Sequence, residues 1–183
     1  MSAYKLVFSG PVGAGKTTAI AAISDVEPFT TEEVATDETS EIKENTTVAM
    51  DYGMMKLDTG DRIHLYGTPG QARFDFMWEI LTDGAIGLIL LVNHSNPKPL
   101  EEFDYYLDQF GEFIAQTGIA VGVTRYRPGT TPSLDDYHAR LAERNIFAPV
   151  FEVDARHPGD VATLTQALLY SLDPGVDATA DEL

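Results

Sequence analysis

The fold of this chain is decided by one glycine-rich stretch, Gly10-Pro11-Val12-Gly13-Ala14-Gly15-Lys16-Thr17. It fits the pattern G-x-x-x-x-G-K-[ST] at every position. An apolar run, residues 4–8, comes directly before it, and a helix-compatible run, residues 18–23, comes directly after it. This order of strand, loop and helix is the context in which the pattern forms a phosphate-binding loop, or P-loop. The sequence therefore predicts a site for a nucleoside di- or triphosphate.

The side chains and backbone of this loop have separate expected roles. The glycines let the backbone curl around phosphate oxygens, and the helix that follows aims its positive end at the same place. We expect Lys16 to reach the outer phosphates and the Thr17 hydroxyl to ligate Mg²⁺. The alternative is a glycine-rich turn before an ordinary helix. The nucleotide-binding residues predicted here are Gly10, Gly13, Ala14, Gly15, Lys16, Thr17 and Thr18.

Length and composition indicate one cytoplasmic domain. The 183 residues suit a single core, which we place at residues 1–172, before a polar tail at residues 173–183. The absence of cysteine excludes disulfides and thiolate metal sites. The chain enters its first strand at once, and its longest apolar run, near residues 86–92, is too short to span a membrane. No myristoylation glycine or prenylatable cysteine is visible, so we expect no direct membrane anchor.

The net charge of the chain limits the kinds of partner that it can bind. Twelve basic residues against 29 acidic ones give a net charge of −17. Such a surface repels nucleic acid and anionic lipid and favours partners with basic patches. The alternative is that the charge serves only solubility.

The hydrophobic pattern predicts strands that alternate with helices. A long acidic loop is expected over residues 25–46, and a hairpin follows it. The remaining order predicts an α/β fold, a three-layer α/β/α arrangement around a doubly wound, mostly parallel sheet of about six strands with one antiparallel strand. The predicted elements are strands 47–57 and 62–66, a helix to residue 81, strand 84–92, helix 97–117, strand 119–124, helix 133–143, strand 149–153 and helix 160–172.

A second motif gives the chain a family resemblance. After the hairpin comes Gly67-Thr68-Pro69-Gly70-Gln71-Ala72-Arg73-Phe74. With the P-loop before it, this order resembles the Ras-like small GTPases, P-loop NTPases of the small G-protein fold. Within them it is most similar to the bacterial MglA-like group and its relatives described as ATP/GTP-binding proteins. The likeness spans residues 4–172. It implies a protein that binds GTP with Mg²⁺, hydrolyses it slowly to GDP and acts as a molecular switch.

The resemblance also implies roles in the two switch segments. Thr47 matches the threonine that ligates Mg²⁺ and senses the γ-phosphate, although Thr46 is an alternative and a plain strand threonine is another. The Gly70 N–H contacts the γ-phosphate, and Gln71 orients the attacking water. Arg73 is either an arginine finger that acts in cis or an ordinary arginine paired with a carboxylate.

Two departures from the family pattern stand out. Ras-like proteins carry an aspartate at the position of Gly67, where it supports Mg²⁺ through water, and the MglA-like group also tends to lack it. Asp37 and Glu38 are candidates to compensate. The second departure is in the base-recognition motif Asn-Lys-x-Asp, which is replaced here by Thr124-Arg125-Tyr126-Arg127 and has lost its aspartate.

Other groups are expected to meet the base. The Arg125 side chain is a candidate to stack on the purine. Asp154-Ala155-Arg156 takes the place of the family's Ser-Ala-Lys, and the Ala155 N–H is expected to reach the purine O6. A donor there suits guanine better than adenine, so the sequence favours GTP over ATP.

Other functions remain open from the sequence. One is a nucleotide-binding interaction module with little or no hydrolysis, or with no preference between ATP and GTP; another is an ATP-using kinase or ATPase. The resemblance implies a Roadblock-type regulatory protein and an effector that meets the switch segments.

Overall fold

The structure, a computed structural model, describes residues 1–30, 50–70 and 76–172. The strands are β1 (Ala3–Ser9), β2 (Phe29–Thr30), β3 (Asp51–Lys56), β4 (Arg62–Gly67), β5 (Gly87–Asn93), β6 (Ile119–Thr124) and β7 (Val150–Val153). The helices are α1 (Lys16–Ile23), α2 (Phe76–Thr82), α3 (Pro99–Gln109), α4 (Gly111–Gln116), α5 (Leu134–Glu143) and α6 (Pro158–Leu172).

One mixed sheet joins the described strands in the order β2-β3-β4-β1-β5-β6-β7. The pairs from β4 to β7 are all parallel, and β3 alone runs antiparallel to its neighbours β2 and β4. The predicted P-loop α/β architecture and its antiparallel strand are confirmed. The sheet has seven strands rather than about six, because the two-residue β2 lies inside the segment predicted as loop.

Two apolar cores lie on opposite faces of the sheet. Helices α1 and α6 cover one face, where Leu6 and Phe8 of β1 pack with Leu164 and Leu168 of α6. Helices α3, α4 and α5 cover the other face over a second cluster. All seven residues of β5 are buried, as expected for a central parallel strand covered on both sides. Parallel strands end at one edge, so this arrangement places the loops after β1, β4, β6 and β7 together.

The helix predicted over residues 97–117 is wrong in one respect, because it is two helices. The break falls at Phe110, next to Gly111, and glycine is a poor helix former. The ring of Phe110 is 3% exposed and stacks on Trp78 of α2 at 4.9 Å. The predicted start of α5 is confirmed: the Ser133 N–H donates to Asp136 Oδ2 at 2.7 Å in a capping box.

Within residues 1–30, 50–70 and 76–172, no helix is both long and apolar enough to cross a bilayer.

Candidate nucleotide-binding site

The P-loop joins the end of β1 to the start of α1. Gly15 caps α1 with φ +101°, in the left-handed region where side chains are strained. A Cβ at this position would also lie 2.8 Å from the Ala155 Cβ, so both backbone shape and space require glycine. The loop therefore presents bare backbone at the amino end of a helix, which is the geometry that binds anions.

Lys16 lies inside the loop rather than in solvent. Its Nζ donates to the carbonyl oxygens of Gly10 at 2.6 Å and Pro11 at 2.8 Å, and the residue is 7% exposed. Burial lowers the pKa of Lys16 to about 8, although the Asp51 carboxylate acts in the opposite direction. A desolvated ammonium held at the mouth of an anion-binding loop is a strong site for phosphate.

The Thr17 hydroxyl has a fixed orientation. It donates to Asp51 Oδ2 at 2.7 Å, and the Thr30 hydroxyl donates to the other carboxylate oxygen at 2.9 Å. Asp51 begins β3 and is only 9% exposed. Since the Thr17 proton points at Asp51, the lone pairs of its oxygen remain available to a cation.

Asp51 occupies the space that the motif aspartate would fill. Asp51 and Gly67 are direct partners across the antiparallel pair β3–β4. A Cβ on Gly67 would lie 3.0 Å from both the Cβ and Oδ2 of Asp51 and 3.1 Å from Ile20 Cδ1. The Asp51 carboxylate on β3 therefore lies beside the place where a side chain at position 67 of β4 would lie.

These oxygen donors fit Mg²⁺, which takes few protein ligands and keeps waters and phosphate oxygens in its shell. The Thr17 hydroxyl, oriented by the buried Asp51 carboxylate, is a ligand of this kind. In the parts of the chain that the structure describes, no three His, Cys, Asp or Glu side chains form a self-sufficient metal cluster. A cation at this site would therefore depend on the bound phosphates for its remaining ligands.

The end of β4 and the residues up to Gly70 lie against the P-loop. A Cβ on Gly70 would lie 2.7 Å from the Val12 nitrogen and 2.9 Å from Lys16 Nζ. Behind it, the Thr68 hydroxyl donates to Ser9 Oγ at 2.8 Å, which fastens this segment to the end of β1. Gly70 therefore lies close to both the P-loop backbone and the Lys16 ammonium.

Trp78 connects this segment to the core. Its Nε1 donates to the Pro69 carbonyl at 3.3 Å, and its ring packs on Tyr106 and Phe110. Trp78 belongs to α2 and is buried, so a displacement of Pro69 and Gly70 would change the surroundings of its indole ring.

Two turns after β6 and β7 touch the P-loop from the other side. The Thr124 hydroxyl donates to the Ala14 carbonyl at 2.9 Å, and Ala155 packs on Gly15. Arg125 turns the chain with φ +56°, which leaves its side chain exposed. The structure therefore places two of the predicted base-site residues, Thr124 and Ala155, against the P-loop. The other two, Arg125 and Asp154, are their neighbours in the same two turns.

The other predicted site residues lie outside the described residues. They are Thr47 with its alternative Thr46, Gln71, Arg73, and the candidate compensating acids Asp37 and Glu38. Their roles stay predictions.

Sequence reasoning missed Asp51 and Thr30. A signal for Asp51 was present, since a carboxylate at an inward position of an apolar strand needs a partner. Its pairing with Gly67 depends on the β3–β4 register, which the spacing alone did not fix.

Solved structures confirm the class of fold. The chain is similar to the G domain of the FeoB iron transporter of T. maritima, with a TM-score of 0.61 and 16% identity over 91% of this chain and 97% of that one. It is also similar to a bacterial selenocysteine-specific elongation factor, EF-Sec, with a TM-score of 0.62 and 17% identity over 94% of this chain and 30% of that one. Fold and site together define a P-loop nucleotide-binding protein with G-domain architecture.

A sequence profile gives the family. Residues 8–105, more than half of the chain, match the profile described as "conserved hypothetical ATP binding protein", and the chain belongs to that family. The resemblance to G proteins is thus confirmed for the fold, and the narrower MglA-like assignment stays a prediction.

A curated relative shares part of the sequence. The uncharacterized protein MJ1339 of Methanocaldococcus jannaschii is 34% identical over 79 residues, which are 40% of this chain. The match spans about half of that protein, 51% of its length.

Proposed function

We propose that this chain is a cytoplasmic GTP-binding switch that holds Mg²⁺-GTP at the P-loop, hydrolyses it slowly to GDP and changes its contacts with partners as it does so. The observation that carries the proposal is the hydrogen bond from Thr17 to Asp51 behind Gly67. It supports a cation site at the P-loop where the sequence had lost the usual carboxylate.

Each described group has a defined task in this scheme. Backbone N–H groups of residues 13–17 bind the phosphates, and Lys16 exchanges its two carbonyl partners for phosphate oxygens. Asp51 positions the Thr17 hydroxyl toward the cation. Mg²⁺, when bound, neutralises charge on the phosphate oxygens.

The two switch segments supply the rest of the proposed mechanism. Thr47 completes the metal ligands, and Gln71 orients the attacking water, because phosphoryl transfer depends mainly on positioning. Gly70 is the γ-phosphate sensor, which its close approach to Lys16 supports. Arg73 either neutralises transition-state charge or pairs with a carboxylate.

The alternative of a non-hydrolysing binding module loses one of its two grounds. One ground for such a module is the glycine at position 67, where the resemblance calls for an aspartate, and the Asp51 carboxylate lies beside that glycine. Its other ground is the changed base motif. Because the family description names ATP, the base preference has to be measured against ATP as well as GTP.

A regulator and an effector are part of the proposal. The resemblance to MglA-like proteins supports a Roadblock-type regulatory protein, and effector contacts are proposed at the segments around Thr47 and Gly70. Excess negative charge favours basic patches on these partners.

Trp78 provides the test, because it is the single tryptophan of the chain and its Nε1 bonds to Pro69. Mixing the protein with Mg²⁺-GTP should change its emission, and the emission should return to the GDP level as phosphate is released. A control with a non-hydrolysable GTP analogue should hold the changed emission. If GTP and GDP give the same emission and no phosphate is released, the switch proposal is wrong.

A further inference from the structure

Two turns are placed to meet the nucleotide base. Thr124 and Val153 are partners in the parallel pair β6–β7, so the chain leaves both strands side by side. The first turn bonds to Ala14 through Thr124, and the second packs on Gly15 through Ala155. Both turns therefore lie against the P-loop, next to the phosphate site proposed there.

The charges of these two turns are unequal. They contain three arginines, Arg125, Arg127 and Arg156, and one carboxylate, Asp154. The Asp154 side chain is 46% exposed. Hydrogen bonds from Arg156 lower the pKa of Asp154 to about 2, so the carboxylate is ionised at neutral pH. Asp154 is thus the one acidic acceptor that these turns offer to a base.

The carboxylate is fixed in place. Its Oδ1 accepts from the Arg156 backbone N–H and from Nε, each at 3.0 Å, and Oδ2 accepts from Nη2 at 2.8 Å. The Asp154 N–H donates to Asp160 Oδ2 at 2.9 Å, which ties the turn to the start of α6. Each carboxylate oxygen has two lone pairs, so Oδ1 is fully used and one lone pair remains on Oδ2. The Arg156 side chain is 83% exposed, so a ligand can displace its guanidinium and free one lone pair on each oxygen.

We propose that Asp154 supplies the base-reading carboxylate that the motif lacks at Arg127. In this assignment guanine displaces the exposed Arg156 guanidinium. The Asp154 carboxylate then accepts from guanine N1–H and the N2 amino group, and the Ala155 N–H donates to O6. Adenine carries an unprotonated N1 and no amino group at C2, so it offers no matching pair of donors. This inference rests on the proposed GTP-binding function and names the residue that gives it base specificity.

Xanthosine triphosphate tests the assignment because xanthine has a carbonyl at C2 where guanine has an amino group. The Asp154→Asn side chain keeps one oxygen for N1–H and gains an N–H₂ that donates to this carbonyl. We expect Asp154→Asn to weaken GTP binding by at least about tenfold, since hydrogen bonds to an ionised acceptor are lost. We expect the same variant to gain affinity for xanthosine triphosphate by at least about tenfold.

Two controls separate base reading from loop stability. Arg156→Gln breaks the ion pair but keeps the carboxylate, so it should retain the preference for GTP over ATP and over xanthosine triphosphate. Asp135→Asn removes an exposed carboxylate on α5, away from the turns, and should change none of the affinities. Affinities would be measured by calorimetry on nucleotide-free protein, with the melting temperature of each variant recorded.

The outcomes are distinguishable. An unchanged ratio of GTP to xanthosine triphosphate affinity in Asp154→Asn overturns the assignment. Equal losses in Asp154→Asn and Arg156→Gln would mean that the pair only stabilises the turn, and they overturn it as well. Wild-type protein that binds GTP and ATP equally contradicts this inference alone, whereas wild-type protein that binds no nucleotide contradicts the proposed function itself.

Discussion

Asp51 and Gly67 face each other across β3 and β4, and the carboxylate of the first fills the space that a side chain on the second would need. A Cβ on Gly67 would lie 3.0 Å from both Asp51 Cβ and Oδ2. Each position therefore constrains the other: the glycine makes room for the aspartate, and the aspartate holds the Thr17 hydroxyl.

This relationship predicts a rescue experiment. Asp51→Asn should weaken Mg²⁺-dependent nucleotide binding by roughly ten- to a hundredfold, as expected when a group that orients a metal ligand is lost. The single variant Gly67→Asp should be destabilised, because two carboxylates then share one buried space. Combining Asp51→Gly with Gly67→Asp removes the clash and returns one carboxylate to the site.

The measurement is nucleotide affinity with Mg²⁺ and with a chelator. Mg²⁺ should strengthen binding in the wild type and in the double variant, and much less in Asp51→Asn. If Asp51→Asn keeps the full effect of Mg²⁺, Asp51 has no role at the cation.

Lys16 predicts a pH dependence. Burial lowers its pKa to about 8 in the free protein, and phosphate oxygens favour the ammonium, so binding raises the pKa. At about pH 9 the free amine is mostly neutral, and binding should take up a proton. At about pH 7 it is already charged and takes up none. Affinity should therefore decline as the pH rises through about 8.

Calorimetry in two buffers of different ionisation enthalpy measures this uptake. In Lys16→Arg the guanidinium stays charged over this whole pH range, so any nucleotide binding that remains should take up no proton at this residue. Proton uptake that does not change between the two pH values would contradict the pKa assigned to Lys16. Lys16→Ala should abolish binding altogether.

Gln71 is predicted to act in catalysis rather than in binding. Gln71→Ala should reduce GTP turnover at least about tenfold, because the attacking water is no longer oriented, and should leave nucleotide affinity almost unchanged. Single-turnover phosphate release gives the rate, and calorimetry gives the affinity. An unchanged rate would remove Gln71 from the mechanism.

Gly70 is predicted to transmit the phosphate signal. The methyl group of Gly70→Ala would lie 2.7 Å from the Val12 nitrogen, which forces the segment away from the P-loop. GDP affinity should stay within about threefold of the wild type, and the Trp78 response to GTP should be lost. Gly111→Ala is the matched control, since a Cβ there meets nothing within 4 Å. A normal Trp78 response in Gly70→Ala would exclude this coupling.

Much of the fold could be predicted because its signals are local. The P-loop pattern predicted the first strand and helix, and the helix predicted over residues 133–143 begins where Ser133 and Asp136 form a capping box. The break at Phe110 was missed, because the apolar spacing continues through it and the ring is drawn into the core by Trp78. Strand β2 was missed, because two residues are too few to show a periodicity.

The sequence predicted only those site residues that belong to one continuous motif. Lys16 and Thr17 lie where the P-loop pattern places them, whereas Asp51 is 34 residues from Thr17 along the chain. The link between them is made by the register of β3 on β4, and Thr30 enters it through the pairing of β2 with β3. The lack of an aspartate at Gly67 therefore did not mean the lack of a carboxylate near that position, since the adjacent strand β3 carries Asp51.

The proposed Mg²⁺-GTP switch is tested most directly by calorimetric titration of GTP, GDP and ATP into nucleotide-free protein, each with and without Mg²⁺. We predict tight binding of GTP and GDP that Mg²⁺ strengthens, and much weaker binding of ATP. Failure of all three nucleotides to bind, or equal affinity for ATP and GTP with no effect of Mg²⁺, would contradict the proposal of a Mg²⁺-dependent GTP switch.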